Sequence, residues 1–193
     1  MAQQQSALER GDTVLLFADE CHVLWGDVCG LAWGKCNQPL EVPIANHKAR
    51  QTYYGAVNFQ TQHFHLKPFP GGNGLNTVAY VQWLRELYPG ARLWLIWDGA
   101  SYHRSADMRD YLAKVNAGLA EDEWVVTCML LAPNAPQQNP VEDIWLRGKN
   151  WLRKRFAYNK SFADVKACFL AYLQDGIFAS AKYDWYKPCP QII

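Results

Sequence analysis

Asp19 and Asp98 each follow a run of five apolar residues, Val14–Ala18 and Leu93–Trp97, that reads as a buried strand. A carboxylate in that position either caps the next element or binds something cationic. Glu142 follows Asn139-Pro140-Val141, where the asparagine can cap a helix, the proline takes its first position, and the glutamate, three residues after the cap, can return to the cap's amide. If the three acids meet, carboxylates about 4 Å apart repel by several kcal/mol at an effective dielectric of about 20, so the cluster implies a divalent cation. Oxygen ligands with open water positions suit Mg²⁺ or Mn²⁺ better than zinc. Two such ions about 3.5–4 Å apart can activate a water or sugar hydroxyl and stabilise the leaving oxygen of a phosphodiester.

Periodicity outlines the elements that must position these acids. Thr13–Asp19 reads as a strand ending in its carboxylate; the segments around 23–33, 51–59 and 62–67, rich in Val, Tyr, Phe and Trp and broken by Gly or Pro, read as antiparallel neighbours joined by turns and suggest an opening three-strand meander. Tyr80, Trp83, Leu84 and Leu87 fall at helical spacing, with Asn76 as cap and Pro89-Gly90 as stop. After the strand Leu93–Trp97 comes a helix with Met108, Tyr111, Leu112 and Val115 on one face, then a strand at Trp124–Leu131. A proline-punctuated turn leads into helices at 141–156 and 161–174. The order βββαβαβαα predicts an α/β fold with a mixed sheet and helices on its faces, in which ligands sit beyond the strand ends. One domain is expected over 13–175, between an N-terminal tail, 1–12, and a C-terminal tail, 176–193.

The chain has 193 residues, of which 50% are hydrophobic, 14% aromatic and 19% charged, which excludes a disordered or fibrous chain. Its apolar runs, such as Val14–Ala18 and Leu93–Trp97, fall far short of the roughly 20 residues of a membrane span, and its polar start lacks the pattern of a signal peptide, so a cytoplasmic protein without a membrane partner is expected. The formal net charge of +1 gives no general reason to bind a polyanion. Locally the balance differs: Arg147, Lys149, Arg153, Lys154, Arg155 and Lys160 follow Glu142 with no acid from Ile144 to Lys160, a surface along which DNA phosphates can lie. Trp145, Trp151, Leu152 and Phe156 recur at helical spacing and are read as core. Cys21, Cys29, Cys36, Cys128, Cys168 and Cys189 include no Cys-x-x-Cys pair and are read as reduced thiols; Cys21-His22 with Cys29 and Cys36 matches no common zinc knuckle.

Three blocks carry a family resemblance: Leu15-Leu-Phe-Ala-Asp-Glu20, Ile96-Trp-Asp-Gly-Ala-Ser-Tyr-His-Arg-Ser105 and Leu130-Leu-Ala-Pro-Asn-Ala-Pro-Gln-Gln-Asn-Pro-Val-Glu-Asp-Ile-Trp145. Over about residues 13–173 the chain resembles the catalytic part of mariner-like Asp-Asp-Glu transposases, in their bacterial insertion-sequence branch. The resemblance implies a ribonuclease-H-like fold and two Mg²⁺ or Mn²⁺ ions held by Asp19, Asp98 and Glu142 as catalytic ligands. It also implies cleavage of double-stranded DNA at transposon ends and strand transfer into target DNA. His103 belongs to the second block and is placed near phosphate, or as a helix-start histidine bonded to backbone. Glu20 and Asp143 adjoin two of the acids and are read as supporting groups. Gly99 stands where the family has Asn, and Asn134-Ala135 where it has Tyr-Ser; neither change removes a ligand. Asp98, Ser101 and His103 crowd one turn, which excludes a nucleophilic relay.

The family's helix-turn-helix modules have no room before residue 13, so recognition of transposon ends is expected from a separate segment or chain. The chain is then expected to be the catalytic half of a protein split over two reading frames, a truncated copy or an excised piece of a longer protein, acting as a homodimer on DNA at the nucleoid. The alternative is a catalytically silent truncated transposase that binds DNA or a partner chain as a regulator, from which metal-dependent cleavage would separate it.

Overall fold

A computed structural model describes residues 2–25, 34–38, 49–133 and 135–186. Its principal elements are α1 (Ala2–Arg10), β1 (Thr13–Leu24), β2 (Arg50–Asn58), β3 (Phe64–Phe69), α2 (Gly74–Leu87), β4 (Arg92–Trp97), α3 (Ala106–Val115), β5 (Val126–Leu130), α4 (Pro140–Lys154) and α5 (Phe162–Leu173). The sheet runs β3-β2-β1-β4-β5. Its first half is the expected antiparallel meander, and β4 and β5 extend β1 in parallel.

β1 does not end at Asp19. Its parallel pairing with β4 stops at Phe17↔Ile96, while the antiparallel ladder with β2 continues to Leu24↔Arg50. Cys21 and Val23 stay buried between exposed His22 and Leu24, so the period-two pattern carries the strand past its carboxylate. The start of the segment read as a second strand, 23–33, therefore belongs to β1; residues 26–33 lie outside those described. Asp19 thus sits two residues beyond the last pairing of β1 with β4, where the sheet opens.

Alternation along β1 divides the core between the two faces of the sheet. Leu15, Phe17, Cys21 and Val23 pack with Val141, Ile144 and Trp145 of α4 and with Val165 and Phe169 of α5. Val14, Leu16 and Ala18 pack with Tyr80, Val81 and Leu84 of α2 and Met108 of α3. Asp19 accordingly belongs to the α4 face and Glu20 to the opposite one.

Several boundaries differ from those predicted. Asn73, not Asn76, caps α2, its Oδ1 accepting the Asn76 amide at 2.9 Å. Ser161 and Asp164 close a capping box that starts α5. Among the described residues, both expected tails carry apolar side chains that reach the core. α1 buries Ala7. After α5, the Phe64 amide donates to Gly176 O at 2.9 Å and the Phe178 amide to Gln62 O at 3.0 Å, with Phe178 and Tyr183 joining the α4–α5 core. Cys36, Cys128 and Cys168 are free thiols, and Cys21 is buried in β1; Cys29 and Cys189 lie outside the described residues. Among the described residues no helix is long and apolar enough to cross a membrane.

Candidate active site

Asp19 is held from the α4 side. The Trp145 indole N–H donates to its Oδ2 at 3.1 Å. The ring has room because the residue paired with Asp19 across the ladder is Gly55. A Cβ there would come within 2.5 Å of the indole and closer still to Phe64. Asn139, buried at the start of α4, donates from Nδ2 to Ala18 O at 3.0 Å and accepts the Val141 amide on Oδ1 at 3.1 Å. One side chain thereby caps the helix and ties it to β1 beside Asp19. The segment after α5 secures the same turn, with Lys182 Nζ donating to Asn139 O at 3.2 Å and the Tyr186 hydroxyl to Gln138 O at 2.8 Å. Glu142 does not close the expected capping box; its side chain is exposed and turned to the cleft.

Asp98 follows the last residue of β4. Its Oδ1 accepts the Ala100 amide at 3.0 Å and lies 3.2 Å from His103 Nδ1. His103 Nε2 is 3.0 Å from Glu20 Oε1, and the Tyr102 hydroxyl donates to Glu20 Oε2 at 2.8 Å. The imidazole stacks on Trp97 with centroids 4.1 Å apart and planes 3° from parallel. The side chains of His103 and Glu20 are 0% and 5% exposed, against 56% for Asp98. The reading of His103 as a phosphate contact is therefore corrected: it is sealed between two carboxylates. Asp143 faces the segment after α5, pairing with Lys182 at 2.8 Å and accepting from Ser180 Oγ at 3.0 Å.

Asp19, Asp98 and Glu142 line one cleft of about 430 Å³, bounded by Gly99, Arg104 and the backbone after β5. Burial, then the charges of Glu142 and Glu20, push the Asp19 carboxyl well above its usual range, against the pull of the Glu20 backbone amide. Glu142 is raised as well, by desolvation first, with Lys182 and Lys149 pulling it down. Asp98 is lowered by its hydrogen bond to His103. Burial alone would depress His103, but hydrogen bonds to Asp98 and Glu20 prevail and lift it to about 9. A hard divalent cation fits this donor set, since three oxygen ligands share one cleft and the most enclosed of them carries a charge its neighbours repel. Among the described residues no three acidic, histidine or cysteine side chains form a ready-made cage, so binding an ion requires the carboxylates to draw together.

The six cations expected as one patch divide between surfaces. Lys149 and Arg153 lie on the helical stripe of Glu142 at i+7 and i+11. Arg147 and Lys154 line a separate pocket of about 220 Å³ with Trp151 and Tyr172. Arg147 also donates to Ala179 O at 2.7 Å, and the Arg155 guanidinium lies 3.9 Å from the Trp151 ring centroid. Lys160 is exposed beyond α4. Trp145 and Leu152 are core, as expected. Sequence reasoning missed Arg104, the indole bond of Trp145 and the space left by Gly55. The Glu142-x-x-Trp145 spacing was a signal for the indole, whereas the Asp19–Gly55 pairing had none.

Fold and site together define a ribonuclease-H-like domain with three acids opening on one cleft. The chain belongs to a family described as DDE superfamily endonuclease, whose pattern matches residues 14–166. Its fold is similar to that of Mos1 transposase in a paired-end complex with the left transposon end, with a TM-score of 0.55 and 13% identity over 96% of this chain and 55% of that one. It is similar too to the HTLV-2 integrase catalytic core domain in complex with magnesium, with a TM-score of 0.51 and 10% identity over 88% of this chain and 92% of that one. Identities this low speak for the fold alone. The chain spans about half the length of the Mos1 transposase chain, at 55%. No curated protein matches it by sequence.

Proposed function

We propose that the chain is the catalytic domain of a mariner-like transposase of the bacterial insertion-sequence branch, which cleaves DNA at transposon ends and transfers the strand into target DNA. The observation that carries this reading is the opening of Asp19, Asp98 and Glu142, from β1, the end of β4 and the start of α4, into one cleft. Mg²⁺ or Mn²⁺, as a pair of ions, would be held by these three carboxylates and would supply Lewis-acid stabilisation to the attacking and leaving oxygens.

The chain's own residues do the rest. Trp145 and Asn139 hold Asp19 and the start of α4 in register, and His103 holds Asp98. Glu142 closes the site from the mouth of the cleft. Arg104, anchored by a hydrogen bond to Gly99 O at 3.1 Å, offers the cleft a guanidinium for a phosphate of the bound strand. Lys149 and Arg153 continue that track along α4, and each phosphate contact adds a salt-dependent increment to duplex binding. Reading of transposon ends falls to a helix-turn-helix segment or chain, and assembly on DNA to a second copy.

The test is Mg²⁺- or Mn²⁺-dependent nicking of duplex DNA. Wild type and Asp143→Asn are expected to cleave, whereas Asp98→Asn and Glu142→Gln are expected to be inert. Cleavage that survives both of the latter changes would overturn the assignment.

A further inference from the structure

Glu20 presents a problem that the metal reading leaves unsolved. Strand alternation points it away from Asp19, into the α2–α3 face, where its side chain is only 5% exposed. A buried carboxylate is costly unless every oxygen is paired. Both are, and both partners come from the short turn after Asp98: His103 Nε2 at 3.0 Å from Oε1 and the Tyr102 hydroxyl at 2.8 Å from Oε2.

The location of this contact suggests its use. The β1–β4 ladder ends at Phe17↔Ile96, so no pairing in it reaches Asp98. The side-chain route from Glu20 through the imidazole to Asp98 takes over where the backbone stops. An imidazole suits this span because it is rigid and carries nitrogens on two sides. Nε2 meets Glu20, while Nδ1 lies 3.2 Å from Asp98 Oδ1 and 3.1 Å from its backbone oxygen. Stacking on Trp97, the last residue of β4, sets the plane of the ring.

We infer that His103, backed by Glu20, is a positioning residue that fixes the Asp98 carboxylate relative to β1, and so sets the gap between Asp19 and Asp98 that a divalent cation must span. The inference rests on the metal reading of the cleft and adds a residue that touches neither ion nor DNA. Its effect should appear in metal affinity, since supporting contacts of this kind change affinity by about 10- to 100-fold.

The test is direct titration of the whole chain with Mn²⁺, following free Mn²⁺ by electron paramagnetic resonance, with cooperative unfolding of each variant as the check on folding. His103→Phe keeps a ring to stack on Trp97 and removes both nitrogens; Mn²⁺ affinity is expected to fall about 10- to 100-fold. Glu20→Gln keeps shape and a hydrogen-bond acceptor and is expected to lose affinity severalfold, with Glu20→Ala losing more. A purely structural role would lower the unfolding midpoint and leave Mn²⁺ affinity of the folded protein unchanged, which would overturn the inference. Should His103→Phe fail to fold, Glu20→Gln decides the matter in the same way: affinity equal to wild type overturns it. Mn²⁺ uptake that Asp98→Asn abolishes and His103→Phe leaves intact would sink this inference alone. A wild type that takes up no Mn²⁺, or whose uptake survives Asp98→Asn, would sink the metal reading and this inference with it.

Discussion

Asp19 lies within β1 and Asp98 directly follows the neighbouring strand β4, and the protein treats these two residues of one type in opposite ways. Asp19 is enclosed against α4, surrounded by like charges, and has the Trp145 indole and the Glu20 amide to soften its carboxylate; its proton is held well above the usual range. Asp98 is 56% exposed, braced by His103 and the Ala100 amide, and lowered. One acid is desolvated and under electrostatic stress, while the other is organised by a cationic partner. A cation entering the cleft would relieve the first and be oriented by the second. In the proposed metal site, the group that would gain from binding an ion is thus distinct from the group that would give the binding its geometry.

The largest test of this contrast is Asp19→Asn. DNA cleavage should fall by at least about 10²- to 10³-fold, the effect of losing one charge-stabilising contact. Metal-free stability should move the other way. A carboxyl whose folded-state pKa is raised contributes most below its ordinary value of 3.8 and loses that contribution as pH climbs through the folded value. The stability advantage of the Asn variant over wild type should therefore widen from pH 4 to pH 7 in denaturant melts without metal. A constant gap would break the comparison.

Trp145→Phe comes next, since it leaves the enclosed carboxylate without its side-chain donor. The expected cost is about 1–3 kcal/mol at pH 7 and less in acid, with Mn²⁺ affinity also reduced. Gly55→Ala reaches the same place from the other side of the ladder by forcing the indole and Phe64 aside, for about 1–3 kcal/mol of overpacking. Its effect should share the pH dependence of Trp145→Phe, because the displaced indole is the donor to Asp19. The smallest effect concerns the Asp98 arm. His103, raised to about 9, contributes stability fully below its ordinary 6.5 and loses it as pH rises through about 9. Wild-type stability should decline across that window, and Asp98→Asn should flatten the decline.

Local pattern made much of this legible. The apolar run Leu93–Trp97 ends as β4 with Asp98 directly after it, and Asn139-Pro140 starts α4 as its capping grammar requires. Local pattern also misled where a neighbour decided the outcome. β1 was expected to stop at its first carboxylate because a charge in a central strand is unfavourable, yet β2 keeps pairing with it for five more residues, to Leu24. Glu142 had a plausible partner in the cap's amide and instead faces the cleft, while the Asn139 side-chain oxygen accepts the amide of Val141 rather than that of Glu142. The packing of residues 176–186 was not legible, since isolated aromatic residues such as Phe178 and Tyr183 give no periodic signal until a core exists to receive them.

By itself the order of residues determined which acids were available, that each stood at the boundary of an apolar element, and that strands and helices would alternate into an α/β sheet, since these follow from spacing along one segment. Only the tertiary structure decided that Asp19 and Glu20, adjacent in the chain, would serve opposite faces: one against Trp145 and Gly55, the other reaching through His103 to Asp98. The reason is physical. Register and burial depend on partners far away in sequence, and the energy of a carboxylate depends less on its own position than on what surrounds it.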